Sequence, residues 1–419
     1  MCTKYDFISC RKNQTPFIRR ATRKSNFKIL SLETSWSKVS VDIDGPALSS
    51  SFGQAIAISS DGRTIAVGAP TDDSNGANIG MVAVYNYVIG SGDWIQLGSS
   101  LFGDPGSKEF GYSISLSSNG KILAAGSLTH SSAQGYVKSY KYSGGRWMQL
   151  GCDLNGDGVN DQFGCSISLS TDGTTLAVGA PSDSSSESGY VKIFKYELSA
   201  WNEIGVISED DPGSKFGSSI SLSADGLVLV VGAYLNNGIG KVQVFQYAAN
   251  AWAQLGTDLT GISEGDKFGF DVSVSRDGTT IAVCTRKGDY NRNNSGRVYL
   301  YQYQAESDSW GSFGGSIDGD SGDLISLVLL SSDGGTLAVG AKWADMGLGV
   351  YSNHSLVKVY NYVSGSDSWS PLYSVAWGEN MDHNFGGSIA LSDDGSIFVA
   401  GAYEMNNFVG AARVSTMVR

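Results

Sequence analysis

Three histidines, seven prolines and five cysteines in 419 residues leave little for metal chemistry or covalent bracing. His130, His354 and His383 share no His-x-His or His-Glu-x-x-His spacing, so no zinc ligand set is visible. Cys2, Cys10, Cys152, Cys165 and Cys284 are odd in number and irregularly placed. That pattern argues against a disulfide framework and a Cys-x-x-Cys site, while a Cys152 to Cys165 bridge across one loop stays open. No apolar run approaches the roughly 18 residues that a membrane helix needs.

Positive charge is scarce beyond the first thirty residues. There, Lys4, Arg11, Lys12, Arg19, Arg20, Arg23, Lys24 and Lys28 stand against Asp6 alone, a balance of +7 in a chain of net −12, so the rest carries −19. An acidic body argues against nucleic acid as the partner, because phosphates are held by clustered Lys and Arg. The basic segment lacks the apolar core of a secretory signal. Its Arg-rich, acid-poor composition suits an organelle transit peptide and equally a solvated, disordered tail. Residues 1–33 are therefore read as tail or targeting segment, and residues 34–419 as one folded domain.

Glycine and tyrosine are abundant, at 55 and 20, and they recur in register. Phe52-Gly53, Phe110-Gly111, Phe163-Gly164, Phe216-Gly217, Phe268-Gly269, a degenerate Leu324-Ile325 and Phe385-Gly386 each open an alternating run such as Ser166-Ile167-Ser168-Leu169-Ser170. Nine residues after each first position comes a turn pair, from Asp61-Gly62 through Asn119-Gly120 to Asp394-Gly395. Alternation at period two on both sides of Asp-Gly is the pattern of a tight antiparallel hairpin. A third aromatic run follows, as in Val191-Lys192-Ile193-Phe194-Lys195-Tyr196, and a fourth opens on Trp94, Trp147, Trp201, Trp252, Trp310 and Trp369. Four short strands repeated at this interval describe propeller blades, and the serines of the first strand are expected to make room for large residues of the facing blade.

Closure is legible too. The seventh unit stops after three strands, while Trp36 stands 16 residues before Phe52, as Trp94 stands before Phe110 and Trp369 before Phe385. The expected fold is all-β: a seven-bladed propeller of four-stranded antiparallel blades, with the Trp36 strand completing the last. Joining both chain ends in one sheet removes an open edge, and a monomer is expected.

Phe-Gly, then Val178-Gly179-Ala180-Pro181, then Gly-x-Val-x-Val-Tyr resembles the FG-GAP repeat of the integrin α-subunit propeller and its microbial relatives, over roughly residues 36 to 415. The resemblance implies a seven-bladed propeller for adhesion or for recognition of a protein or glycan, often extracellular or at the cell surface. It also implies calcium loops between first and second strands, but short turns such as Ser59-Ser60-Asp61-Gly62-Arg63 stand there instead. One inter-blade loop has oxygen-bearing side chains at alternating places, Asp153, Asn155, Asp157 and Asp161, a pattern that suits a hard cation such as calcium, although it occurs once and its counterparts in other blades do not keep it, which favours a solvated acidic turn. No other cofactor is indicated.

No nucleophile has a visible base partner, so a non-enzymatic recognition module is expected. The other class is a polysaccharide-active enzyme with carboxylates assembled at the propeller mouth. Strand order puts the second-to-third and inter-blade connections on one face, and these vary while the opposite turns are uniform. Variable loops on a rigid ring are where recognition sits. Arg286, Tyr290, Arg292, Lys342, Trp343 and Tyr351 supply a basic and aromatic group there, beside the irregular Cys284 and Leu324-Ile325. Asn293 and Asn353 fit the glycosylation acceptor pattern in the same type of connection, as Asn13 does in the tail.

Overall fold

A computed structural model describes residues 35–129, 133–182, 187–286, 295–320, 323–344, 354–372, 376–377 and 384–418. Within the unit spanning Thr34–Arg419, the strands form seven antiparallel sheets. The first blade comprises Ala55–Ile58, Thr64–Ala69, Met81–Val88 and Asp93–Gln96, in that spatial order. In the last blade, Phe385–Leu391, Ile397–Ala402 and Ala411–Val418 are completed by Ser35–Lys38, with Trp36 opposite Met417. The ring is therefore closed by the N-terminal strand, as expected. The predicted tail, residues 1–33, lies outside the described residues.

Each Ser-x-Asp-Gly turn is a small polar machine. The serine Oγ donates to the turn carboxylate, or to Asn119 in blade two, at 2.6–3.0 Å. The same Oγ accepts the N–H that opens the second strand at 2.8–3.0 Å. One serine thus satisfies two groups that a sharp chain reversal would otherwise orphan. The residue between serine and acid goes further. Ser60 N donates to Ser118 O, Ser118 N to Thr171 O, and so on through Ala224, Arg276, Ser332 and Asp393, whose N–H returns to Ser60 O at 3.2 Å. Seven peptide groups therefore make one closed hydrogen-bonded ring around the axis.

The first-strand serines are more than spacers. Ser113, Ser166 and Ser388 donate to the carbonyls of Gly164, Gly217 and Gly53 in the next blade. Two residues on, Ser115, Ser168, Ser221 and Ser273 accept the N–H of Leu169, Leu222, Val274 and Leu330. The expectation of simple packing is corrected: hydroxyls stitch each inner strand to its neighbour, because inner edges facing a channel need hydrogen-bond partners. At the outer rim each of six blades pairs Tyr with Trp at ring-centroid distances of 5.2–5.6 Å. Indole N–H groups of Trp147, Trp310 and Trp369 donate to backbone carbonyls of the preceding blade.

The Phe-Gly and Gly-Ala-Pro glycines meet across blade seams. A Cβ on Gly68 would lie 2.1 Å from Gly111 O, and Gly111 itself has φ +86°, so both places demand glycine. This explains the irregular blades together. Ile325 pairs with Ala341 as Phe216 pairs with Ala233, so Ile325 holds the phenylalanine place and the following glycine is missing. The reading of Leu324 as the phenylalanine counterpart is corrected by one residue. With no glycine opposite it, the seam has room for Cys284, which is fully buried in one cluster with Ile325. Two apparent breaks are one compensated packing pair.

Candidate recognition site at the channel mouth

Inner strands from all seven blades line the channel, and its two ends differ. At the inter-blade end opens a cavity of ≈ 580 Å³, walled among others by Tyr112, Cys165, Lys215, Tyr234, Phe270 and Asp271. Its lining carries one large aliphatic residue from each of six blades, Ile56, Ile114, Ile167, Ile220, Leu327 and Ile389, among serine hydroxyls. At the turn end lies a cavity of ≈ 150 Å³ inside the amide ring, sharing no lining residue with the first. Arg276 reaches Asp393 across it at 2.7 Å.

The mouth is uneven because one repeat position varies. The residue following the second strand's small pair is Pro70, Leu128 and Pro181 in blades one to three, but Tyr234, Arg286, Lys342 and Tyr403 in blades four to seven. Tyr234 meets Phe270 edge-on at 5.4 Å. Lys267 Nζ stands over the Tyr234 ring, 5.4 Å from its centre, and the Arg286 guanidinium over Phe270, 4.8 Å from its centre. Cations on ring faces are attracted by the aromatic quadrupole, so the four side chains brace one another.

Local chemistry does not favour a nucleophile. Burial pushes the Cys165 thiol up to about 11, with Lys215 pulling it back only in part. The Tyr112 phenol is raised by burial, with Cys165 and Glu109 adding to the effect. Asp271 is raised to about 6 by burial, against the opposing pull of Val328 N–H, Ser219 Oγ and Val272 N–H. Ser219 donates to Asp271 at 2.9 Å and Val328 N at 2.8 Å, so its oxygens serve the seams to blades four and six.

Of the sequence-predicted residues, Arg286 stands at the mouth, and Lys342 and Trp343 lie in the strand Thr336–Ala344 that ends there. Tyr290, Arg292, Tyr351, Asn293 and Asn353 lie outside the described residues. The loop singled out for a cation uses its oxygens internally. Asp161 accepts the N–H groups of Asp157 and Gly158 and the Tyr190 hydroxyl, Asp157 pairs with Lys192, and Asp153 accepts from Gln149. Asn155 is exposed. Among the described residues no group of three or more His, Cys, Asp or Glu is placed to hold a metal ion. Asp266 caps its own connection in the same way, accepting Ser263 N–H. Cys152 and Cys165 are free thiols, so the bridge left open does not form. Sequence reasoning missed Tyr112, Lys215, Tyr234, Lys267, Phe270 and Tyr403 as site residues; their signal was departure from the repeat at fixed positions.

A family model described as the FG-GAP repeat matches residues 261–301, from the connection before blade five into its third strand, Arg297–Gln304. Fold and repeat together fit an FG-GAP β-propeller. The chain is also similar in fold to solved structures of low identity. One chain from a crystal structure of the mitotic checkpoint complex matches with a TM-score of 0.59 at 14% identity, covering 99% of this chain and 98% of that one. A Bacteroides fragilis protein proposed to be a 6-phosphogluconolactonase matches at 0.53 and 12%, covering 77% and 84%. Its counterpart from Bacteroides uniformis matches at 0.55 and 11%, covering 78% and 88%. No curated protein matches the sequence. At these identities the likenesses speak for fold alone. No helix among the described residues is long and apolar enough to cross a membrane.

Proposed function

We propose that this propeller is a non-enzymatic recognition module that binds a protein partner at the face of the channel mouth. One observation carries the reading: a single repeat position is Pro, Leu and Pro in three blades and Tyr, Arg, Lys and Tyr in the other four, and Pro181 and Tyr234 of that set line a concave opening. Aromatic and Arg side chains beside a pocket are the usual anchors of protein interfaces. The raised Cys165 thiol and the seam-bound Asp271 do not supply the activated nucleophile or paired acid and base that an enzyme reading needs.

The test is capture with the whole chain, followed by direct titration of each retained, identified protein. A partner held by the wild type and by Arg276→Ala at the turn end, and lost on Tyr234→Ala, is the expected result. Equal loss in both variants, or turnover of a glycan or lactone substrate abolished by mouth substitutions, sinks the reading.

A further inference from the structure

We infer that the mouth is built to take a carboxylate carried by an acidic segment of the partner protein; this rests on the mouth being the recognition face. Lys215, Lys267 and Arg286 come from two neighbouring blades of an otherwise acidic body. The Arg286 guanidinium sits over the Phe270 ring, 4.8 Å from its centre, and its N–H groups are the donors left for a ligand. Its Nε is buried and has no hydrogen-bond partner. A planar guanidinium set against a ring is matched to a carboxylate, which such a fork binds through two parallel hydrogen bonds.

Asp266, whose backbone carbonyl accepts Arg286 N–H, has its carboxylate on Ser263 N–H. Asp271 spends its oxygens on Ser219 and Val328, and Glu109 lies beside Tyr112 on blade two. The acid on blade two and the cations on blades four and five polarise the opening, directing an incoming carboxylate to Arg286. The cavity beside it is also lined by Ile56, Ile114, Ile167, Ile220, Leu327 and Ile389, against which the aliphatic stem of a glutamate can pack. The source follows from the rings. Arg286 covers a face of Phe270 and Lys267 a face of Tyr234, and the two rings meet edge-on, which leaves poor stacking surface for a sugar. A glutamate or aspartate side chain fits what remains.

Calorimetric titration of the full chain with oligoglutamate, oligoglutamine and oligogalacturonate tests this. Oligoglutamate is expected to bind, more weakly as salt rises, and oligoglutamine not to bind. Arg286→Gln is expected to weaken oligoglutamate about tenfold, the scale of one charged hydrogen-bonded pair, with Lys267→Gln smaller and Arg276→Gln without effect. Circular dichroism melts establish that each variant is folded, and Lys267→Gln keeps the test alive if Arg286→Gln is not. Equal binding of both peptides, no binding, or indifference to Arg286→Gln and Lys267→Gln overturns the inference. Preference for oligogalacturonate overturns the protein source. A captured partner that is lost on Tyr234→Ala but is indifferent to Arg286→Gln and to salt leaves the recognition face standing and removes the carboxylate.

Discussion

The two ends of the channel are made by the same strands and behave as opposites. At the turn end all seven blades repeat one solution: a serine bonded to a turn acid or Asn119, and a peptide group bonded to the next peptide group around the ring. At the mouth, positions equally fixed by the repeat hold Gln54, Tyr112, Cys165, Ser218, Phe270 and Ser326, and no two of these six blades agree except the two serines. A closed ring needs seven equivalent bonds at one end to fix its symmetry. Once that is secured, the other end is free to be unsymmetrical, and an unsymmetrical opening is what a single ligand requires.

The comparison can be broken or sharpened by substitution. The largest effect belongs to the seams. Gly179→Ala drives a Cβ to 2.1 Å from Gly217 O and is expected to cost about 3 kcal/mol, the upper range for overpacking. Cys284→Ala, at the same repeat position where the opposing glycine is missing, should cost about 1 kcal/mol as a small buried truncation. Urea midpoints that rank the two in the reverse order would contradict the seam account. Next comes the mouth: Tyr234→Ala should weaken an identified partner by about 2 kcal/mol, the range of an aromatic hot spot, with the urea midpoint unchanged.

Turn substitutions should be milder and purely structural. Asp172 accepts Ser170 Oγ, Thr174 N–H and Thr174 Oγ, which hold its carboxyl below its ordinary range against the upward pull of burial. Because the side chain is exposed, Asp172→Ala should cost about 1 kcal/mol or less at neutral pH. A lowered folded-state pKa contributes stability above the unfolded carboxylate value and loses it as pH falls through the folded one, so the gap to wild type should close in acid.

Asp271 has the opposite sign. Its folded value, about 6, lies above the ordinary 3.9 or so of an aspartate, so ionising it in place costs stability as pH rises from about 4 through 6. Asp271→Ser restores the residue found in four other blades and lets a hydroxyl accept Val328 N–H, as Ser219 accepts Val272 N–H. The variant should be more stable than wild type by about 1 kcal/mol at pH 7.5, with the advantage fading by pH 4.5. Thermal melts across that range check it, and a constant difference would remove Asp271 as the cause.

Periodic features were legible in the sequence because each is written seven times. Turn pairs, rim tryptophans and the Trp36 closure need only spacing, and all were found where spacing put them. The blade-six register was not, since losing one glycine shifts Ile325 into the phenylalanine place while the turn offset from Leu324 still reads nine. In the sequence the serines read as fillers, because a hydroxyl's partner in the next blade is about fifty residues away. The mouth was legible only in part. Arg286 and Lys342 stood out by charge, but Tyr112 and Phe270 look like ordinary strand aromatics until seven first strands are brought around one axis. The acidic loop at Asp153 to Asp161 matched a ligand pattern, yet most of its carboxylates answer to nearby N–H groups, Tyr190, Gln149 and Lys192.

The claim that one end of the channel recognises and the other only holds is tested most directly by hydrogen exchange of the propeller with and without a partner identified by capture. Slower exchange of amides around Tyr112, Tyr234 and Phe270, with the turns at Asp61, Asp172 and Asp277 unchanged, is the predicted result. Protection of the turns, with the mouth amides exchanging as in the free protein, would contradict it.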